Sequence, residues 1–97
     1  MKDNTTWRQD IEAEAKNHGD PMVNFVVVTG KVNYYDDGPA GNIDMKFDHG
    51  YGGNDGCAFT AWTDERVYFP VVYDGSEWVG SVPRNPCDVA TEHMGGQ

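Results

Sequence analysis

The residue types in this chain could support metal, thiol or carboxylate chemistry, and each needs a spacing that can be checked. Cys57, Cys87, His49 and His93 are zinc-ligand types. Their spacing does not suit a compact site. Seven residues separate His49 from Cys57, five separate Cys87 from His93, and no Cys-x-x-Cys pair occurs. Asp36-Asp37-Gly38 and Asn42-x-Asp44 offer oxygen ligands for calcium, but they lack the EF-hand spacing and its closing glutamate. Neither cysteine sits in a segment that would activate a nucleophile. A carboxylate pair can be picked from sixteen acids by chance alone. The glycine-rich run His49 to Gly56 has no Gly-Lys-Ser/Thr and carries Asp55 instead of a cation, so it reads as a connection and not a phosphate loop. The expectation is a protein with no catalytic residue, no cofactor and no metal. A small metal-dependent enzyme is the third-ranked alternative.

Charge narrows the partners. Sixteen acids against seven bases give a formal net charge of −9. Such a chain repels phosphate, so direct nucleic-acid binding and adhesion to anionic lipid are not expected. No apolar stretch approaches the ~18 residues of a membrane span. Met1-Lys2-Asp3-Asn4 leads into a polar run and does not resemble a secretion signal, so a cytoplasmic location is expected, with Cys57 and Cys87 reduced. Ninety-seven residues suit a single domain spanning 1–97, frayed at 1–4 and 94–97.

The elements that would position these residues are mostly strands. From Ala58 to Val82 three β-type runs are punctuated by turns. Asp74-Gly75 between two of them favours a two-residue turn, because both turn positions need positive φ. That turn sets a register: Tyr73 opposite Ser76, Val71 opposite Trp78, Phe69 opposite Gly80 and Val67 opposite Val82 make one apolar face. Val72 with Glu77, Pro70 with Val79 and Tyr68 with Ser81 make a more polar one. The missing N–H of Pro70 points away from the 76–82 strand, so either the 58–63 strand pairs poorly near Pro70 or that side is an edge. An even loop at Asp64-Glu65 puts Trp62 on the apolar face; an odd loop puts Phe59 and Ala61 there.

Residues 5–18 read as a helix. Thr6 and Gln9 form a capping-box pattern, Trp7, Ile11, Ala15 and His18 make one stripe, and Gly19 with Pro21 ends it. His18 is expected at the helix end, without a catalytic role. Val23 to Tyr35 is apolar on both faces at its middle, as a central strand would be. Asn42 to Asp48 alternates, with Ile43, Met45 and Phe47 on one face. These two runs are expected to pair as a second hairpin. Cys87 to His93 has room for one helical turn. The result is an α+β fold: an N-terminal helix packed on an antiparallel sheet of about four or five strands, arranged as two hairpins or a meander.

The acids have a pattern of their own. Asp36, Asp37, Asp44, Asp48, Asp55, Asp64, Glu65, Asp74 and Glu77 fall at turns or on the polar sides of strands. Carboxylates rimming a sheet are spaced comparably to phosphates along a nucleic-acid strand, so a basic groove could accept them, and steering by charge would speed the encounter. Tyr34, Tyr35, Tyr51 and Tyr68 could anchor such a contact. The same positions also follow simply from turns being wet.

In size, acidity, lack of catalytic motifs and helix-plus-meander layout, the chain resembles the small anti-defence proteins of bacteriophages, the anti-CRISPR and DNA-mimic type. The segment Phe59-Thr-Ala-Trp-Thr through Arg66-Val-Tyr-Phe-Pro-Val-Val-Tyr-Asp-Gly-Ser-Glu-Trp-Val-Gly-Ser-Val-Pro-Arg-Asn-Pro shares the look of a phage reading frame. This is a likeness of type that transfers no individual residue. It implies inhibition by binding to a basic, nucleic-acid-binding host protein or complex in an infected bacterium. The candidate contact residues are Asp36, Asp37, Asp44, Asp48, Tyr51, Asp55, Asp64, Glu65, Asp74 and Glu77. The alternative is a structural or assembly module, such as a phage-particle component or a homodimer, suggested by exposed sheet edges.

Overall fold

The structure is a computed structural model that describes residues 5–30, 41–47, 56–73, 76–85 and 87–94. Its elements in chain order are β1 (Thr5–Thr6), α1 (Trp7–Asn17), β2 (Val26–Thr29), β3 (Lys46–Phe47), β4 (Phe59–Trp62), β5 (Arg66–Tyr73) and β6 (Ser76–Pro83). The expected α+β architecture is present: one N-terminal helix and a four-stranded antiparallel sheet in the order β2-β4-β5-β6, with a two-stranded ribbon β1-β3.

The helix starts and stops where its residues dictate. The Thr6 hydroxyl accepts the Gln9 N–H at 3.2 Å, and the Gln9 side chain accepts the Thr6 N–H at 3.0 Å. Two otherwise orphaned donors are thus satisfied. At the other end His18 is the C-cap and Gly19 adopts φ 69°, a conformation open to glycine at little cost. Gly19 N–H then donates to Lys16 O at 3.2 Å and Asp20 N–H to Ala15 O at 2.8 Å. This double closure ends the helix and turns Asp20 inward.

The β5–β6 hairpin has the register set by its turn: Tyr73 pairs with Ser76, Val71 with Trp78, Phe69 with Gly80 and Val67 with Val82. Between β4 and β5 only Ala61–Tyr68 and Trp62–Val67 pair. Pairing therefore lapses before Pro70, where the ring leaves no donor for β4. The even connection puts Trp62 on the face of Val67, and Phe59 and Ala61 on the face of Tyr68.

Two expectations need correction, and a third falls mostly outside the described residues. The described part of the run from Val23 to Tyr35 is not a central strand, and its residues 31–35 lie outside the described residues. Among the described residues β2 pairs only with β4 and lies at the sheet's edge, with Val26 and Val28 42% and 58% exposed. Among the described residues it does not pair with 41–47 either; residues 31–40 and Asp48, through which the expected hairpin with 42–48 would form, lie outside the described residues. Asn42 begins a turn, its side chain accepting the Asp44 N–H at 2.8 Å, and β3 pairs with β1 instead. A side chain able to mimic a backbone acceptor competes with strand formation at that point. Finally, residues 87–94 form no helix; they run as an irregular segment.

The core joins Trp7, Ile11 and Ala15 of α1 to Ile43, Cys57, Phe59, Ala61, Tyr68 and Val79. Trp7 packs on Phe59 with ring centroids 5.2 Å apart, and its indole N–H donates to Cys57 O at 2.8 Å. That bond settles the polar end of a ring otherwise wholly buried. The face of β5 and β6 covered by α1 is the one carrying Tyr68, Val79, Ser81 and Glu77, which the sequence reads as the more polar of the two. Tyr68 is fully buried, so it offers no surface anchor.

Candidate functional site

The densest polar cluster lies where the end of α1 meets the β4–β5 turn. Asp20 is 6% exposed, and three donors converge on its carboxylate: Thr63 hydroxyl at 2.6 Å and Tyr68 hydroxyl at 2.5 Å on Oδ2, and Met22 N–H at 2.8 Å on Oδ1. Burial alone would raise its pKa. The hydrogen bonds from Thr63, Tyr68 and Met22, with the charge of Arg66, outweigh burial and hold it below the ordinary aspartate value. Tyr68 shifts the opposite way. Burial first, then its bond to the Asp20 carboxylate, push its pKa well above the usual tyrosine value.

The loop after the helix is strained to serve this clasp. Met22 and Asn24 have φ of 61° and 57°. The left-handed region costs a non-glycine residue about 1–2 kcal/mol, and several bonds hold the loop there. Asn24 Nδ2 donates to both Asp64 carboxylate oxygens at 3.2 Å, and Asp64 N–H donates to Val23 O at 3.0 Å. The Thr63 hydroxyl accepts the N–H groups of Glu65 and Arg66, both at 3.1 Å.

Next to this clasp, Glu14, His18, Ser81 and Arg66 form a chain. The Ser81 hydroxyl donates to Glu14 Oε2 at 2.7 Å and accepts from Arg66 Nε at 3.0 Å, while His18 Nε2 meets the same Glu14 oxygen at 3.0 Å. The atom types are those of a hydrolytic triad, but the order is wrong. In a triad the imidazole stands between hydroxyl and carboxylate to take the hydroxyl proton; here the carboxylate stands in the middle. Ser81 is buried and held on both sides. Among the described residues no buried side-chain nitrogen or oxygen lacks a partner. In the neighbouring clasp, the Asp20 carboxylate, with its lowered pKa and three donors, is a poor proton acceptor. The chemistry this arrangement can do is to tie helix, loop and sheet together.

The residues expected to meet a partner are not gathered by the described part of the molecule. Asp36, Asp37, Asp48, Tyr51, Asp55 and Asp74 lie outside the described residues. Asp44 is exposed but pairs with Arg8, whose Nε and Nη2 reach its two oxygens at 2.6 and 3.1 Å. That bond lowers the pKa of Asp44 and raises that of Arg8. Asp64 and Glu65 are both exposed on the β4–β5 turn. Glu77 is a correction. Expected on the polar side of its strand as a partner contact, it is 3% exposed on the helix-covered side and accepts the Gly56 N–H at 3.2 Å.

His49 lies outside the described residues. Cys57 is buried, Cys87 is exposed, and both thiols are free; burial raises the Cys57 pKa. Among the described residues no group of three or more His, Cys, Asp or Glu is placed to hold a metal, and no helix is long and apolar enough to cross a membrane.

Sequence reasoning missed Asp20, Thr63 and Tyr68 as a unit. The only local signals are the position of Asp20 just past the helix-ending glycine and of Thr63 at the start of the β4–β5 turn, both places where a short polar side chain bonds backbone. Their meeting with Tyr68 is a long-range event that no local spacing encodes. No protein-family model, no curated protein and no solved structure matches the chain.

Proposed function

We propose that the protein acts by binding and not by catalysis: an anionic domain that docks on a basic, nucleic-acid-binding protein and denies nucleic acid its groove. The observation that carries this reading is the formal charge of −9 on 97 residues. The buried polar groups of the described fold support it, because they are engaged in holding that fold together. Asp64 and Glu65 stand exposed on a turn that the Asp20–Thr63 clasp makes rigid, which lowers the ordering cost of a contact there. The narrower version, a phage-encoded inhibitor of a CRISPR-type or nuclease complex in the cytoplasm of an infected bacterium, rests on the likeness of type alone.

The test is affinity capture from a bacterial lysate, identified by mass spectrometry and repeated at low and high salt. The partner should be basic, should bind nucleic acid and should be released by salt. Reversing Asp36, Asp37, Asp64 and Glu65 to lysine, with the fold checked by circular dichroism, should abolish capture. Unchanged capture by the reversed protein would sink the electrostatic reading.

A further inference from the structure

The face of the main sheet turned away from α1 carries the more apolar set of residues. Val26 pairs with Trp62, Trp62 with Val67 and Val67 with Val82, so one row of four apolar side chains crosses all four strands. Phe69, Val71 and Trp78 extend it along β5 and β6. Val26 and Val28 are well exposed, and Trp62, Val67, Phe69, Val71, Trp78 and Val82 are mostly covered but keep part of their surface exposed. A contiguous apolar surface of this kind marks an interaction site more often than isolated exposed residues do.

Two observations say what fits it. First, the chain already lays a side chain of its own C-terminal segment against this face. In the irregular C-terminal residues, the Met94 sulfur lies over Gly80, where an added Cβ would come within 2.7 Å of it and within 2.9 Å of both Phe69 and Val71. The bare glycine opens a notch between an aromatic ring and a valine that takes an unbranched side chain. Between the end of β6 and the same segment, Val82, Pro83, Arg84, Asn85, Cys87, Val89 and Thr91 line an open cavity of about 330 Å³. Second, the charge around the face is mainly negative. Asp64 and Glu65 are exposed on the β4–β5 turn, and Asp88 and Glu92 are exposed on the C-terminal segment. Arg84 is exposed at the same turn, its guanidinium donating to Thr63 O at 3.2 Å.

We propose that this face is the docking surface for an extended, cationic segment of a partner protein with apolar anchors, and that residues 87–94 occupy part of it until that segment displaces them. The inference deepens the binding reading above and rests on it. An acidic tail beside acidic turns is a weak occupant, whereas a segment with lysines between its anchors gains both contacts and charge complementarity. A second copy of this chain is disfavoured because it brings the same −9 charge.

The experiment is a nitrogen-15 NMR titration of the full chain with two synthetic peptides of equal length, one alternating leucine with lysine, the other leucine with glutamate. The three indole N–H signals report position, since Trp62 and Trp78 lie on this face and Trp7 lies in the core. The lysine peptide should shift Trp62 and Trp78, leave Trp7 still, and move the Met94 methyl toward its free-chain position. The glutamate peptide should do none of this. Val28→Lys, at an exposed edge position that the fold tolerates, should weaken the lysine peptide by about tenfold, a loss of ~1.4 kcal/mol. Shifts confined to the α1 surface overturn the face assignment and leave the charge-based reading standing. An equal response to both peptides overturns the cationic partner. No binding of the lysine peptide overturns both readings. Self-association by light scattering without peptide would make a second copy the occupant and overturn the partner proposal.

Discussion

On β5 and β6 the two faces of the main sheet reverse the usual placing of polar residues, although the apolar core also lies on the helix side. The face under α1 holds Tyr68, Thr63, Ser81 and Glu77 in the interior, with Asp20 closing over them. The opposite face carries Val26, Val28, Trp62, Val67, Phe69, Val71 and Trp78, all at least partly exposed. The inversion is stable because the helix side brings its own partners. Glu14 meets Ser81, and Asp20 meets both Tyr68 and Thr63. A buried polar group is costly only when it is unpaired. Alternation along a strand shows that two faces differ; which one is covered depends on what the rest of the chain delivers to it.

The largest effect that would break this contrast is a comparison of two tryptophans. Trp7→Ala removes a ring that is 1% exposed and packed on Phe59, and should cost about 3–5 kcal/mol in chemical denaturation. Trp78→Ala, on the partly exposed face, should cost less than Trp7→Ala, because part of the Trp78 surface stays in water when folded whereas Trp7 is wholly buried. Equal losses would mean that the second face is as much a core as the first.

Next in size is Tyr68→Phe. It keeps the ring and deletes the hydroxyl that donates to the Asp20 carboxylate. A hydrogen bond to a charged group contributes about 1.5–3 kcal/mol, and thermal or urea melting should show a loss in that range. A loss under ~0.5 kcal/mol would mean that the network is incidental, since neutral outcomes follow when a polar contact was never favourable.

The same contact predicts a pH window. The folded pKa of Asp20 lies below its unfolded value, so its contribution is full above the ordinary aspartate range and is lost as pH falls through the lowered folded value. The folded pKa of Tyr68 lies above its unfolded value. Its contribution is therefore full below the ordinary tyrosine range, near pH ~10, and is lost as pH rises through the raised folded value. Urea midpoints measured against pH should decline on both sides. Asp20→Asn should flatten the acid limb and Tyr68→Phe the alkaline one. An acid limb unchanged in Asp20→Asn would assign it to other carboxylates.

Local chemistry is what the chain wrote plainly. Thr6 and Gln9, Gly19, and the Asp74-Gly75 register all act within a few residues, and helix, cap and hairpin follow from them. The fate of Pro70 was also readable, because a missing donor constrains its neighbour wherever that neighbour comes from. The partner of β2 was not, since an apolar run is compatible with a central strand or with an edge beside an open face. Nor was the polar clasp: Thr63 and Tyr68 stand 43 and 48 residues from Asp20 along the chain, and each of the three alone reads as an ordinary loop or strand residue. Of the acids expected to meet a partner, Glu77 shows the limit most clearly. Its place opposite Val72 was deduced correctly, and its burial depended on a helix arriving on that side.

The smallest effect sharpens the contrast from the open side. Gly80→Ala places a Cβ into the notch that Met94, Phe69 and Val71 share. The Met94 sulfur is near the end of a flexible side chain and can leave; the Phe69 ring and the Val71 methyl belong to the paired strand and cannot move as far. Overpacking of this kind costs about 1 kcal/mol when one neighbour can yield. The Met94 methyl should shift toward its free-chain position and the C-terminal segment should become more sensitive to protease, while the Trp7 indole N–H, on the far side of the sheet, keeps its chemical shift. If Trp7 moves as much as Met94, the two faces respond as one body, and the second surface is not free to exchange one occupant for another.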